Sequence, residues 1–287
     1  MSKKRWGSDP LAVDAVNAFA SMEASCTVRL IGTFEPNLIF CQEDDLVHEI
    51  CELDRYRPFD HIPVKRDSHI VGLFSVVNLR NNLIAPGNTV SHHMKQIDDN
   101  ILIASDSGVL SFIEQADENP CRLILRNTKI DGIVVLPDLQ KLPVRSSIFF
   151  LITHLEILMA TTLRSKFNDN DDWLSLLSSN RQSKIEAKWN NLRIENMEID
   201  RVLAAEFCDK RDGILKSGLR RGGLTKEQAS KELKDIEKLR NAIAHAGDIA
   251  STHAKALQTV TSVKSARQWI RYFDDLLTAW GNLPPKA

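Results

Sequence analysis

The sequence predicts an α+β first half, built as a tandem β-α-β-β-α repeat, followed by an all-α second half. The repeat is visible because the segments Ile70–Leu79 and Ile130–Leu139 align without a gap at an offset of 60 residues. Each segment combines a strand-like apolar run with one glycine and then reaches a residue type that caps helices. After Arg145 the apolar residues recur at spacings of three and four, which is typical of amphipathic helices.

The composition is that of a globular protein with two domains. The chain has 287 residues, of which 43% are hydrophobic and 26% charged, and this excludes collagen-like and wholly disordered chains. Because domains usually contain about 100–150 residues, we expect two of them. Residues 1–146 have a net charge of −5 and residues 147–287 one of +4. An excess of this size is only a weak indication of nucleic-acid binding.

The sequence favours a cytoplasmic protein without a membrane span or a metal site. Its most apolar run, Ile148–Ile152, is followed directly by Thr153 and His154, whereas a span needs about 20 nearly unbroken apolar residues. The N-terminal segment lacks the apolar core of a secretory signal. The five cysteines are an odd number without a CxxC pair, and His92 and His93 have no third ligand at a recognisable spacing. We therefore expect buried thiols and no bound metal.

In the first half, each element follows from its local pattern. Asp9 and Pro10 predict the start of an N-terminal helix within residues 1–24, which we expect to pack on the repeat module. Short apolar runs predict strands, and the polar-apolar stretches after them predict helices. The predicted elements are a strand at 38–40, a helix at 45–53 and strands at 61–64 and from 70 in copy one, and a strand at 101–104, a helix at 107–116 and strands at 122–125 and from 130 in copy two.

This order of elements, together with the dipeptide Pro63-Val64, resembles a tandem pair of CBS domains, known as a Bateman module. The resemblance covers about residues 25–145. It implies a cleft between the two copies that takes a regulatory ligand. The ligand implied is an adenine nucleotide, such as AMP, ATP or a cyclic dinucleotide, or a related adenosyl compound.

The resemblance also assigns ligand-binding positions. In the family, a hydroxyl residue three positions after the glycine and an acidic residue three positions further on hold phosphate and ribose. Here these positions are Ser75 and Asn78 in copy one and Val135 and Asp138 in copy two. Val135 has no donor for a phosphate, so at most one pocket keeps a complete polar set. The alternative is that Ser75 and Asp138 only satisfy backbone N–H groups at helix N-termini.

In the second half, helical patterns follow one another with no strand signal between them. The stretches that separate them are rich in Asp and Asn or in Gly. The predicted helices lie at about 147–163, 183–199, 201–217, 226–246 and 265–282.

The helix at 226–246 carries a polar set near its C-terminal end. At about 100° per residue, Arg240, Asn241 and His245 lie away from the apolar face of this helix. An Arg, an Asn and a His in this arrangement are suited to hold a phosphate beside a titratable base. The alternative is an ordinary helix end, with Arg240 paired to Glu237 three residues before it.

The run from Arg240 to His245 matches the motif of the HEPN superfamily, in which an Arg and a polar residue are followed by three residues and a His. An earlier helix with Glu156 followed by Arg164 extends the resemblance to the Swt1-like and Abi-type branch, over about residues 147–285. HEPN proteins usually dimerise with their two motif helices facing each other, and many are metal-independent ribonucleases. The resemblance therefore implies a homodimer that cleaves RNA.

Metal-free RNA cleavage needs a base for the 2′-hydroxyl, a cation for the charge that develops at phosphorus and a proton for the leaving 5′-oxygen. We assign the first and last roles to His245, the cation to Arg240, and orientation of the histidine or the phosphate to Asn241. Glu156 is the candidate to pair with Arg240 or to hold the tautomer of His245. This chemistry needs no metal and no catalytic cofactor.

The predicted function is a nucleotide-regulated, metal-independent endoribonuclease of the HEPN type, gated by the CBS sensor and acting in defence or stress response. RNA and a second copy of the chain are the expected partners. A basic group around a Gly-rich turn either binds the RNA backbone or is a solvated loop, and it consists of Arg211, Lys216, Arg220 and Arg221. The rival function is a non-catalytic scaffold that senses an adenine nucleotide, dimerises and binds RNA or protein.

Overall fold

The structure is a computed structural model that describes residues 10–77, 79, 87–168, 171–194 and 200–281, with side chains from residue 18 onward. The chain forms two compact units. Among the described residues, the repeat unit lies within 23–144 and 250–257. The described residues of the helical unit lie within 10–22, 145–249 and 258–281. Compared with the predicted domains, two short segments belong to the other unit: 10–22 lies in the helical unit and 250–257 in the repeat unit.

The repeat unit contains two four-stranded sheets, one for each copy of the repeat. In chain order the strands are β1 (Thr33–Phe34), β2 (Cys41–Gln42), β3 (His61–Arg66), β4 (His69–Ser75), β5 (Lys95–Gln96), β6 (Leu102–Ala104), β7 (Cys121–Arg126) and β8 (Lys129–Val135). One sheet has the order β2-β3-β4-β5 and the other β1-β8-β7-β6. The N-terminal helix is α1 (Pro10–Ser25). Two short helices, α2 (Val47–Glu52) and α3 (Val109–Gln115), follow β2 and β6 at the predicted places. The strand predicted at 38–40 is displaced to β2, while β1 and β5 are not predicted.

The repeat seen in the sequence is a repeat of hairpins. Strands β3 and β4 pair antiparallel with His61 opposite Ser75, and β7 and β8 pair with Cys121 opposite Val135. All four positions keep the offset of 60 residues, and a register irregularity falls at the equivalent point of both hairpins. The structure therefore confirms the repeat as a structural unit.

The glycine in each copy has a steric reason. A Cβ atom on Gly72 would lie 2.8 Å from the carbonyl oxygen of Lys95 in β5. A Cβ atom on Gly132 would lie 2.6 Å from the ring of Phe34 in β1. The strand at the edge of each sheet passes so close to its neighbour that no side chain fits there.

The second half is helical, as the sequence predicts: the described residues between 142 and 281 form helices and turns only. The helices are α4 (Leu142–Lys166), α5 (Ser179–Ile194), α6 (Arg201–Ala204), α7 (Phe207–Lys216), α8 (Lys226–Ala244) and α9 (His253–Ala279). Helix α9 begins twelve residues before its predicted start, and a break at Ala205 divides the helix predicted at 201–217. Large buried side chains of the helical unit include Trp173, Trp269 and Phe273.

Helix α1 begins at Pro10 as predicted, but its residues up to Met22 belong to the helical unit, and only Glu23–Ser25 belong to the repeat module on which the sequence predicts that it packs. The Phe19 ring of α1 stacks on the ring of Phe150 in α4, with centroids 6.2 Å apart. It also contacts the ring of His154 edge-on, with centroids 5.1 Å apart. Aromatic contacts of this kind stabilise a docked helix. The described side chains of α1 up to Met22 therefore belong to the helical unit.

Helix α4 has the length and the apolar composition of a membrane span, contrary to the expectation that no segment does. However, 67% of its most apolar 18-residue window is buried inside the fold. Its side chains from Ile148 to Leu163 include many that are fully enclosed by protein. A helix that is apolar on most of its faces is buried in this way when it packs in the core of a fold.

Candidate functional site

The repeat unit encloses a cavity of about 710 Å3 where the two hairpins end. Ser75, at the end of β4, and Val135, at the equivalent end of β8, both line it. The copies contribute Pro58, Phe59, Asp60, His61, Ser75 and Val77 on one side and Pro120, Val135, Leu136 and Pro137 on the other. A cavity of this size is sufficient for a small organic ligand.

A third wall of the cavity comes from far along the chain. Residues Ala250, Ser251, Thr252, His253 and Ala256 line it together with the hairpin ends. This segment connects α8 to α9 and includes the first turn of α9. No local sequence pattern indicates that a segment more than 100 residues beyond the repeat returns to it.

The cavity is mostly apolar, with a few polar groups and few cations. Its polar groups include the hydroxyls of Ser75, Ser251 and Thr252. Among the lining residues that the structure describes there is neither a Lys nor an Arg. Burial lowers the pKa of His61 below its usual value, and the charge of Asp60 partly opposes this shift. The His61 side chain is therefore neutral at neutral pH and can both donate and accept a hydrogen bond.

Asp138, the second-copy residue expected to bind ribose, has a local role. Its carboxylate accepts a hydrogen bond from the backbone N–H of Val135 at 2.8 Å and pairs with the ammonium group of Lys141 at 2.7 Å. Burial raises the pKa of Asp138, while the bonds to Lys141 and Val135 oppose this shift. These contacts cap the short helix Leu136–Gln140, which is the alternative that the sequence left open. The corresponding residue of copy one, Asn78, lies outside the described residues.

The motif residues lie at the C-terminal end of α8. Arg240 is half-buried, and its Nη1 donates to Oδ1 of Asn241 at 3.3 Å. Asn241 and His245 are exposed. At about 100° per residue, Arg240 lies about 140° around the helix from His245, so one copy does not direct both side chains to one point. Within the described part of the chain, Glu237 is paired with Arg211 and not with Arg240.

The helix end itself is tightly built. His245 is the last residue before the chain leaves the helix, and Ala246 has a positive φ of 52°. The N–H groups of Ala246 and Gly247 donate to the carbonyls of Ile243 and Ala242, which together form a Schellman motif. Glycine is the usual residue at the left-handed position that ends a helix, but here Ala246 occupies it, one residue before Gly247. A Cβ on Gly247 would also make a tight contact, 3.1 Å from the carbonyl oxygen of Ala242.

Glu156 and Arg164, the two residues of the early helix that supported the HEPN resemblance, are engaged in ion pairs. Glu156 accepts a hydrogen bond from the buried Lys210 at 2.7 Å. The guanidinium group of Arg164 binds both oxygens of Asp200. Among the described residues, Glu156 and Arg164 bind these partners rather than Arg240 or His245, so the structure does not bring Glu156 into the motif.

Two of the four cations around the Gly-rich turn are neutralised by carboxylates, whereas Lys216 and Arg220 are exposed. Arg211 binds Glu237 and Asp212, and Arg221 binds Glu232. The ammonium group of Lys216 donates to the carbonyl of Leu176 at 2.8 Å. This favours the alternative in which the group is structural or solvated rather than a surface for RNA.

One cluster of potential metal ligands is present among the described residues. Ligand atoms of Glu206, Cys208 and Asp209 lie within 4.8 Å of one another. The guanidinium group of Arg181 binds the carboxylates of Glu206 at 2.7 Å and of Asp209 at 2.6 Å. A cation already occupies the position that a metal would take, so the cluster is an ion-pair network.

No protein-family model and no curated protein matches this sequence. Solved structures of CBS domains are similar to about half of the chain. The CBS domain of a bacterial CNNM/CorC family Mg2+ transporter in complex with ATP is 18% identical over 45% of this chain and 94% of that chain, with a TM-score of 0.37. A hemolysin-like protein containing a CBS domain from Oenococcus oeni is 14% identical over 43% of this chain and 93% of that chain, with a TM-score of 0.36. The CBS domains of a transcriptional regulator from Streptococcus pneumoniae are 20% identical over 39% of this chain and 94% of that chain, with a TM-score of 0.32.

Proposed function

We propose that this chain is a nucleotide sensor whose repeat unit binds an adenine nucleotide. The observation that carries the proposal is the cavity of about 710 Å3 between the equivalent ends of β4 and β8. Its volume suits a drug-sized ligand, and its walls combine apolar side chains with a few polar groups, as small-molecule sites do. The CBS resemblance of the sequence supplies the ligand class.

The lining chemistry favours a ligand with little negative charge. Ser75, Ser251 and Thr252 offer hydroxyl donors, but Asp60 would repel a polyphosphate. Where the cavity is described, Lys and Arg are absent from its walls. AMP or an adenosyl compound therefore fits better than ATP.

Calorimetry of the full chain with AMP, ATP and a cyclic dinucleotide tests this proposal. The Ser75→Val substitution gives copy one the residue of copy two, and we expect it to weaken AMP binding at least about 10-fold because a phosphate loses its hydroxyl donor. Ser68→Val is the matched control, since Ser68 is exposed at the other end of the same hairpin. The proposal fails if none of the nucleotides binds or if Ser75→Val binds AMP like the wild type.

We propose further that the helical unit is a metal-independent endoribonuclease. This second function is favoured by an exposed His and an exposed Asn beside a cation that Asn241 orients. His245 would take the proton of the 2′-hydroxyl, whose oxygen attacks phosphorus, and the bond from phosphorus to the 5′-oxygen would break. The protonated histidine would then protonate the leaving oxygen, so the products end in a 2′,3′-cyclic phosphate and a 5′-hydroxyl.

The wide angle between Arg240 and His245 supports a homodimer in the proposed mechanism. Because the two side chains diverge around α8, a second copy with its motif helix facing the first would bring a cation toward each histidine. Ligand control follows from the chain path. Ligand contacts with Ser251 and Thr252 would order the connection between α8 and α9 a few residues beyond His245.

Cleavage assays in EDTA with single-residue variants test the nuclease. We expect His245→Ala and Arg240→Ala each to reduce cleavage at least about 10²-fold, as for loss of an acid-base or charge-stabilising group. His93→Ala is the control, since His93 is an exposed histidine of the repeat unit. Wild-type activity in His245→Ala would leave the non-catalytic scaffold as the function of the chain, acting in the cytoplasm as the sequence suggests.

A further inference from the structure

We propose that the outer face of α8 is the surface that binds the RNA backbone, with Lys231, Lys234 and Lys238 leading the strand toward His245. All three lysines are exposed, as are Asn241 and His245. At about 100° per residue these five side chains fall within a sector of about 80°. The buried residues of α8, which are Ala229, Leu233, Ile236 and Leu239, occupy the opposite side. We call this exposed sector the lysine face.

The lysine face retains free positive charge at Lys231 and Lys234, although the exposed carboxylate of Glu227 lies in the same sector. Lys231 and Lys234 have no hydrogen-bond or ion-pair partner among the residues that the structure describes. Lys238 pairs with Asp235 at 2.9 Å, but 71% of its side chain is exposed, so water screens this pair. By contrast, Arg211 and Arg221 of the other basic group are each paired with a carboxylate, which leaves fewer free charges there for a polyanion.

The spacing of the lysine face suits a repeating anion. Steps of three and four residues correspond to about 4.5 and 6 Å along a helix axis, and Lys231 to His245 spans about 21 Å. Lysine presents a compact charge on a flexible stem, which adapts to phosphates at variable positions. A single RNA strand carries one phosphate per nucleotide, and each neutralised phosphate releases counterions. A strand on this face would reach the exposed Asn241 and His245, so the inference rests on the proposed nuclease for its choice of RNA over an acidic protein.

The test measures binding separately from cleavage. The parent protein is the full chain with His245→Ala, which prevents cleavage during the measurement. A fluorescently labelled single-stranded RNA is titrated with this parent and with the parent that also carries Lys231→Gln/Lys234→Gln. Loss of two phosphate contacts on a single strand lowers the slope of log K against log salt by about 1.4 and weakens binding about 25-fold at about 0.1 M salt. The control is Lys184→Gln/Lys188→Gln, which removes two exposed charges from α5. We expect this control to bind within about twofold of the parent, because its charges lie outside the proposed phosphate track.

Several results would overturn the inference: no RNA binding by the parent, an unchanged affinity in Lys231→Gln/Lys234→Gln, or an equal loss in both double variants. Displacement of the RNA by polyglutamate at equal charge concentration would also overturn it, because the face would then be a general anion surface. If binding follows the prediction but the wild type does not cleave, the nuclease proposal fails and the lysine face stands. If the wild type cleaves RNA but Lys231→Gln/Lys234→Gln binds RNA as the parent does, the nuclease proposal stands and the lysine-face inference fails.

Discussion

The carboxylate of Glu156 in α4 and the ammonium group of Lys210 in α7 form an ion pair with a distance of 2.7 Å. Lys210 is almost fully buried, and its second hydrogen bond goes to the carbonyl of Ala205 at 2.9 Å. Removing a buried ammonium group from water is costly unless a carboxylate compensates for it. Glu156 therefore holds two helices together and is a structural residue in our account.

Replacing Glu156 by Gln should lower the free energy of unfolding by about 3 kcal/mol, because Lys210 would keep its charge without a counter-charge. The double variant Glu156→Leu/Lys210→Met should recover most of this loss, since it removes both charges. Chemical denaturation of the two variants and of the exposed control Glu227→Gln provides the comparison. A variant Glu156→Gln that is as stable as the wild type but inactive on RNA would show that Glu156 acts in catalysis.

The His154 side chain should make the stability of the helical unit dependent on pH. It is 4% exposed, neither ring nitrogen has a hydrogen-bond partner in the described structure, and burial lowers its pKa to about 4. Between this value and the usual pKa near 6.5, the unfolded chain binds the proton and the folded chain does not. Stability is therefore complete above about pH 6.5 and is lost as the pH falls toward 4, by about 3 kcal/mol in total.

Denaturation of the wild type and of His154→Phe from pH 7 to pH 4 tests this expectation. The variant keeps the aromatic contact with Phe19 but has no proton to bind, so its stability should fall less steeply. Equal pH dependence in both proteins would mean that His154 titrates normally in the folded state.

The left-handed conformation of Ala246 predicts a stabilising substitution. An Ala with a φ of 52° has a steric cost that glycine avoids, so Ala246→Gly should raise the free energy of unfolding by about 1 kcal/mol. The same substitution at Ala244, the last helical residue of α8, should instead lower it by up to about 1 kcal/mol. Thermal melts of Ala246→Gly and Ala244→Gly measure the effect of the same substitution on stability at the two positions. Destabilisation by Ala246→Gly would contradict the Schellman geometry.

The close approach of β1 to β8 predicts that Gly132→Ala destabilises the repeat unit. The added methyl group would overlap the ring of Phe34, which has to move, at a cost of about 1–3 kcal/mol. Gly222→Ala is the control, because a Cβ at Gly222 meets no atom within 4 Å. Equal melting temperatures for both variants would show that the edge strand does not pass where the structure places it.

The part of the fold that the sequence predicted is the part that local pattern encodes. The two hairpins were predictable because equivalent residues of the two copies are all 60 positions apart in the sequence. The pair of His61 and Ser75 in the first hairpin thus corresponds to the pair of Cys121 and Val135 in the second. Strands β1 and β5 are two residues long, which is too short for any periodicity to show. The early start of α9 was missed because residues 253–264 contain many Thr, Ser and Ala and few large apolar residues.

The candidate site was predictable only where a motif is contiguous. The motif residues from Arg240 to His245 occupy one helix end, so spacing alone was enough to find them. The expected partnership of Glu156 with Arg240 failed because Lys210, 54 residues away in sequence, is the partner that α7 brings to α4. The third wall of the cavity, with Ser251 and Thr252, likewise depends on a return of the chain that no local rule encodes.

The most direct test of the account is the cleavage of single-stranded RNA by the full chain in EDTA, with and without AMP, alongside His245→Ala and Ser75→Val. We expect the wild type to produce 2′,3′-cyclic phosphate ends at a rate that AMP changes, and His245→Ala to be slower by at least about 10²-fold. Ser75→Val should cleave at a rate that AMP no longer changes. Equal rates for the wild type and His245→Ala, or a requirement for Mg2+, would contradict the account.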